Sequence, residues 1–164
     1  MLVELEEAGF KVTGLDLSEA MGQMAKRRLI KAGLTIIISR GQAQQLPYPD
    51  RSFDSLLATF PAEFIVDPRS IDEANRVLRP NGRLVIVAQA KLERGGILRL
   101  ILEWLYTITG QRPAKSDGVN NLIWQETAQR YIVAGFDVEL EQVELDGSLV
   151  TVVVANKRNT QAVT

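Results

Sequence analysis

The 164-residue chain contains neither cysteine nor histidine. Disulfides, thiolate nucleophiles, zinc sites built from cysteine or histidine, and a Ser-His-Asp triad are therefore excluded within it. Any chemistry must run on carboxylates, hydroxyls, amides, amines or a cofactor. An excess of charge is lacking too: 19 basic against 20 acidic side chains leave a formal charge of -1. No basic field exists to hold a nucleic-acid backbone or an anionic membrane. A long apolar run is also absent. The most apolar stretch, residues 97–108, is broken by Arg99 and Glu103 and falls short of the roughly 20 residues a membrane-spanning helix needs. The start, Met1-Leu2-Val3-Glu4-Leu5-Glu6-Glu7, is acidic where a secretory signal is basic, so a cytoplasmic protein is expected.

With 46% hydrophobic and 24% charged residues, the composition is that of an ordinary globular domain. One core is expected at this length. The expected boundaries are a single domain over residues 1–157 and a flexible tail over 158–164.

Leu2, Val3 and Leu5 among glutamates form a short helical pattern that Gly9 ends. Residues 10–17 read as a strand, with Ser18 placed to cap a helix running to about Ala32 and closed by Gly33. Residues 35–39, centred on Ile36-Ile37-Ile38, read as a strand covered on both faces, as in a parallel sheet. Residues 53–59 form another strand, and Asp67-Pro68 opens a helix ending near Leu78. A turn at residues 79–82 precedes an apolar strand, 83–88. Helical stretches follow at 96–109 and about 121–134. Strands 136–145 and 149–155 flank Asp146-Gly147, a dipeptide suited to a tight hairpin turn.

Alternating strands and helices followed by a hairpin predict an α/β fold: a Rossmann-like parallel sheet flanked by helices, with a C-terminal antiparallel hairpin. Open sheets of this kind bind ligands beyond the carboxyl ends of their strands. That rule selects Asp16, residues 41–43 and residues 59–63.

Three segments carry a resemblance: VTGLDLSEAM at residues 12–21, GQAQQLP at 41–47 with PDRSFD at 49–54, and RVLRPNGRL at 76–84. In this order and spacing the chain resembles the class I methyltransferases that use S-adenosylmethionine, the small-molecule group related to quinone and sterol methyltransferases. The resemblance runs from the family's second strand through its fifth, and the hairpin agrees with its antiparallel last strand. It implies S-adenosylmethionine as cofactor, a small and lipophilic methyl acceptor, and a cofactor site that includes Asp16, Leu17, Met21, Gln42, Ala43 and Thr59. Asp16 would accept hydrogen bonds from both ribose hydroxyls; as a plain turn residue it would pair with Ser18 instead. Met21 would lie against the adenine or in the core. Gln42 and Ala43 would flank the adenine, Gln42 standing where many relatives have Asp; the same segment could be a solvated loop. Phe60 and Pro61 fall where relatives line the methyl-transfer site. Glu63, Asp67 and Tyr106 are available as a general base, but each reads better as a structural residue, so no catalytic residue is assigned.

The resemblance also implies a first strand ending in a Gly-rich loop, and the sequence holds neither. The fold is expected to be N-terminally incomplete, leaving the second and fourth family strands without their common neighbour. A longer natural chain, a partner's strand, or direct pairing of those two strands would each resolve this. Between the fifth strand and the hairpin, Trp104 and its apolar neighbours in residues 97–108 would form a lid over a greasy substrate, pack on the sheet, or meet a second copy in a homodimer. Trp124 and Tyr131 share that ambiguity. A nicotinamide-binding dehydrogenase and a catalytically silent binding module are the rival functions.

Overall fold

The computed structural model describes residues 1–59, 63–92, 119–145 and 148–159. Helix α1 (Leu2–Glu7) leads through Gly9, at φ 87°, into strand β1 (Thr13–Asp16). Helix α2 (Glu19–Lys31) begins where Ser18 Oγ accepts from the Met21 N–H at 3.3 Å, and Gly33, at φ 72°, turns the chain away. Strand β2 is Ile37–Arg40 and β3 is Phe53–Thr59. A 3-10 turn (Glu63–Val66) precedes α3 (Pro68–Val77), whose start is fixed by Pro68 in the first turn and by Asp67 accepting from the Arg69 N–H at 3.0 Å. Strand β4 (Leu78–Leu92), helix α4 (Val119–Val133) and strands β5 (Phe136–Leu145) and β6 (Ser148–Lys157) follow.

The strands form two sheets rather than one. β1 and β2 pair in parallel, and a second sheet has the order β3-β4-β6-β5, parallel between β3 and β4 and antiparallel in both remaining ladders. The antiparallel β5–β6 pair is the expected hairpin; its tip, Asp146-Gly147, lies outside the described residues. β1 and β3 do not pair with each other, which excludes the shortened single sheet. Among the described residues each keeps one edge without a strand neighbour.

The core lies on the larger sheet. Leu84 and Ile86 alternate onto one face of β4, and their direct partners on β6, Ala155 and Val153, are buried with them. Ile71 and Ala74 bring α3 onto that cluster, Leu78 joins it from the start of β4, and Tyr131 and Phe136 seal it with rings 5.7 Å apart in an edge-on contact. The Tyr131 hydroxyl, buried and so pushed up in pKa, donates to the Ile65 carbonyl at 2.9 Å. Tyr131 is thus a core residue.

Three expectations are corrected. Strand β2 is not covered on both faces: Ile37 is 72% exposed, because β2 is the outer strand of a two-stranded sheet. Residues 79–82 are not a free turn between elements but an irregularity inside β4, where the register on β3 jumps from Phe53↔Leu78 to Ser55↔Arg83. Arg158, assigned to the tail, is anchored: its N–H donates to the Gly135 carbonyl at 2.9 Å and its Nε to Asp137 at 2.7 Å. The stretch 96–109, with Trp104 and Tyr106, lies outside the described residues, as do Phe60 and Pro61 and the side chain of Trp124.

Candidate functional site

The carboxyl ends of β1 and β2 sit side by side, with Asp16 paired to Arg40 in the parallel register. The ladder continues one step further, since the Gly41 N–H donates to the Asp16 carbonyl at 3.2 Å. Beyond it the chain doubles back in a one-bridge turn, with the Gln45 N–H on the Gln42 carbonyl at 3.2 Å. Between this turn and the β1–α2 connection lies a cleft of about 380 Å³ lined by Leu17, Arg40, Gly41, Gln42, Gln45 and Pro47. That is within the usual range for small-ligand sites, about 300–1,000 Å³. A smaller hollow of about 140 Å³ opens beside it, and Asp16, Ser18, Glu19, Ser39 and Arg40 are among the residues of its wall.

Asp16 is half-buried, and its Oδ1 accepts from the Ser18 N–H at 2.7 Å. This is the turn contact expected of an aspartate before a helix. It uses one lone pair of a group that offers about four, so the carboxylate retains acceptor capacity toward the hollow. The negative charge also sits just ahead of the α2 N-terminus, where the helix dipole favours it. Arg40 bridges both recesses: its Nε donates to the Leu17 carbonyl at 3.2 Å and its Nη1 reaches Glu19 at 3.4 Å. The pair is solvent-exposed and so contributes little to stability.

Of the residues singled out from sequence, Leu17 and Gln42 line the larger cleft and Asp16 the smaller hollow, with Ala43 half-buried in the intervening turn. Met21 lines neither; it is half-buried in the first turn of α2, its N–H taken by the Ser18 cap. Thr59 stands apart, at the end of β3 opposite Val87 in the other sheet. Asp67 is engaged as a cap: it accepts from the Arg69 backbone and side chain and from Gln44, and Arg69 holds its carboxyl below the usual range. A carboxylate so stabilised is a poor proton acceptor. Arg40, Gln45 and Pro47 were not selected from sequence. The signal for Arg40 was its position as the last residue of a parallel strand; Gln45 and Pro47 enter through the turn, which no periodicity foretells. Among the described residues no cluster of acidic side chains could hold a metal ion, and no helix is long and apolar enough to cross a membrane.

Comparison with known proteins gives the arrangement a context. A family model described as a methyltransferase domain matches residues 1–86. A demethylmenaquinone methyltransferase from Symbiobacterium thermophilum is 33% identical over 84 residues, 49% of this chain and 34% of that protein. One from Thermotoga maritima is 39% identical over 87 residues, 52% of this chain and 36% of that protein. The chain thus spans about a third of the length of these curated relatives. Among solved structures, a protein from Methanosarcina mazei described as a SAM-dependent methyltransferase superposes with TM-score 0.62 at 20% identity, covering 95% of this chain and 86% of that one. The [4+2]-cyclase SpnF superposes with TM-score 0.60 at 17% identity, covering 91% and 66%. These structures share the fold, and the cyclase among them shows that the fold alone does not fix the reaction.

Proposed function

The chain belongs to the methyltransferase domain family, and from that premise we propose that the cleft at the ends of β1 and β2 binds the nucleoside part of S-adenosylmethionine, in a protein that transfers its methyl group to a small, lipophilic acceptor. The observation that carries this reading is the convergence of a carboxylate with spare acceptor capacity, Asp16, and a cleft lined by Leu17 and Gln42 at the carboxyl ends of two parallel strands. The relatives named demethylmenaquinone methyltransferases support the choice of acceptor class.

The residues present fit the nucleoside part of such a cofactor. Asp16 accepts from the ribose hydroxyls with the lone pairs that Ser18 leaves open. Leu17 and Pro47 give a planar base apolar surface, and the Gln42 amide, which both donates and accepts, reads the edge of the base. When bound, the cofactor supplies a methyl group already activated on a sulfonium, so the protein's share is alignment and electrostatics rather than a nucleophile of its own. The absence of histidine and cysteine is no obstacle to that chemistry. Asp67, tied into the α3 cap, is not a base in this reading.

Equilibrium dialysis of the full chain with radiolabelled S-adenosylmethionine tests the reading. S-Adenosylhomocysteine and adenosine should displace the label and NAD should not; methyl transfer to a reduced naphthoquinone, extractable into organic solvent, should follow binding. Label displaced as well by NAD as by S-adenosylhomocysteine, or no saturable binding, would overturn it.

A further inference from the structure

Residues 44–52, which join the cleft to β3, contain no helix or strand, yet they are bound along their length chiefly to one helix, with two further bonds: the Tyr48 hydroxyl donates to the Gly14 carbonyl of β1 at 3.5 Å, and Arg79 of β4 donates to the Arg51 carbonyl at 3.3 Å. Arg76 of α3 donates from Nη1 to the Tyr48 carbonyl and to Asp50, each at 2.8 Å, and from Nη2 to the Leu46 carbonyl at 3.1 Å. The same guanidinium is clasped by Glu73, Nε to Oε1 at 2.6 Å and Nη2 to Oε2 at 2.8 Å. Glu73 Oε2 also accepts from the Leu46 N–H at 2.6 Å. Leu46 is therefore held at both its N–H and its C=O, and its two chain neighbours, Gln45 and Pro47, are walls of the cleft. The last carbonyls of α3 continue the attachment, accepting from the Arg51 N–H at 3.0 Å and the Ser52 N–H at 2.8 Å. At the other end Gln44 reaches the helix cap, donating to Asp67 at 3.4 Å.

We infer that Glu73 and Arg76 are positioning residues for the cleft: the pair fixes where the Gln45–Pro47 wall stands relative to Asp16 and Leu17, and so sets the affinity for the adenine-bearing ligand. The inference rests on the reading of the cleft as a nucleoside site. Its physical ground is division of labour. Asp16 ends, and Leu17 directly follows, a strand whose place is fixed by the β1–β2 ladder, whereas the opposite wall has only one bridge of its own. A planar guanidinium with donors in a fixed fork can bind carbonyls of two residues and two carboxylates at once, which a lysine cannot. The hydrogen bonds from Arg76 hold the Glu73 carboxyl below the usual carboxylate range. The pair is only partly exposed, Arg76 at 32% and Glu73 at 19% of their side-chain surface, so its loss both weakens the fold and releases the wall.

The test compares Arg76→Gln, Arg76→Lys and Glu73→Gln with the parent chain and with Arg158→Gln, which removes an exposed pair, to Asp137, that has no bond to residues 44–52. Calorimetric titration with S-adenosylhomocysteine should show Kd raised about 5- to 50-fold in the two Gln variants and nearly as much in Arg76→Lys, with Arg158→Gln within twofold of the parent. Melting temperatures should fall further for the partly buried Arg76 and Glu73 than for Arg158, so each titration is run where circular dichroism shows the variant folded. Kd unchanged in folded Arg76→Gln, or raised as much in Arg158→Gln, overturns the inference. Amide exchange on the parent chain gives a second measurement that needs no variant: the Leu46 N–H should be protected to the same degree as amides in the middle of α3, and exchange at the rate of an open loop contradicts the clasp. Should the parent chain bind no S-adenosylhomocysteine, both the inference and the nucleoside reading fail; should it bind while the variants bind equally well, only the positioning role falls.

Discussion

Replacing Asp16 by alanine separates its contact with the Ser18 N–H from the ribose contact proposed for it. In the structure one carboxylate oxygen accepts from the Ser18 N–H at 2.7 Å, just ahead of α2, in a half-exposed setting. Losing that bond costs about 0.5–1 kcal/mol of stability, in the range measured for helix caps. At about 2–4 °C per kcal/mol for a chain of this size, the melting temperature should drop by only a few degrees. The ligand side is larger. Two ribose hydroxyls donating to a carboxylate contribute about 1.5–3 kcal/mol each, and half-exposure with competing water places both at the lower end, about 3 kcal/mol together. At about 1.4 kcal/mol per decade, affinity for S-adenosylhomocysteine should fall roughly 150-fold. Asp16→Asn keeps one acceptor oxygen, loses the charge, and should cost about tenfold. Calorimetric titration gives the affinities, and circular dichroism confirms that each variant is folded. An affinity for folded Asp16→Ala within twofold of the parent would show that the carboxylate serves the turn alone and would remove the ribose contact.

The irregularity inside β4 should be intolerant of a side chain at Gly82, where a Cβ would stand 2.8 Å from the Arg79 carbonyl oxygen and 3.1 Å from that of Asp54. Because both neighbours are backbone, Gly82→Ala should destabilise by about 1–3 kcal/mol in urea unfolding; an unchanged midpoint would mean that this backbone shifts freely. Tyr131→Phe leaves the ring packed on Phe136 but strands the Ile65 carbonyl, and should cost about 1–2 kcal/mol. A loss below about 0.3 kcal/mol would show that water reaches that carbonyl.

Local signals were the most legible in the sequence. Ser18 before α2, Asp67-Pro68 before α3 and the span of β3 follow from capping chemistry and periodicity, which involve residues within a turn or two of one another. The exposure of Ile37 was not legible, because an apolar run states that a strand can be covered, while its position in the sheet order decides whether it is. The bulge at residues 79–82 misled for a related reason: Pro-Asn-Gly has the chemistry of a turn, and only its pairing with β3 draws it into a strand. At the site, the rule that ligands gather at strand ends selected Asp16 and Gln42, which line the two recesses, and also Thr59, which falls on the other sheet; Leu17, on the wall of the larger cleft, came with the resemblance alone. The Glu73–Arg76 clasp lay beyond reach. Its partners on the loop are up to 30 residues away in sequence, and two of them are backbone carbonyls that no side-chain pattern records.

The central claim is that a nucleoside binds at the joined ends of β1 and β2, and amide NMR of the isotopically labelled full chain tests it most directly, even where affinity is low. Addition of S-adenosylhomocysteine should produce saturable shifts confined to residues 16–18 and 41–47, with adenosine reproducing most of them and NAD failing to. Saturable shifts centred elsewhere, equal shifts with NAD, or none at millimolar ligand would contradict the account.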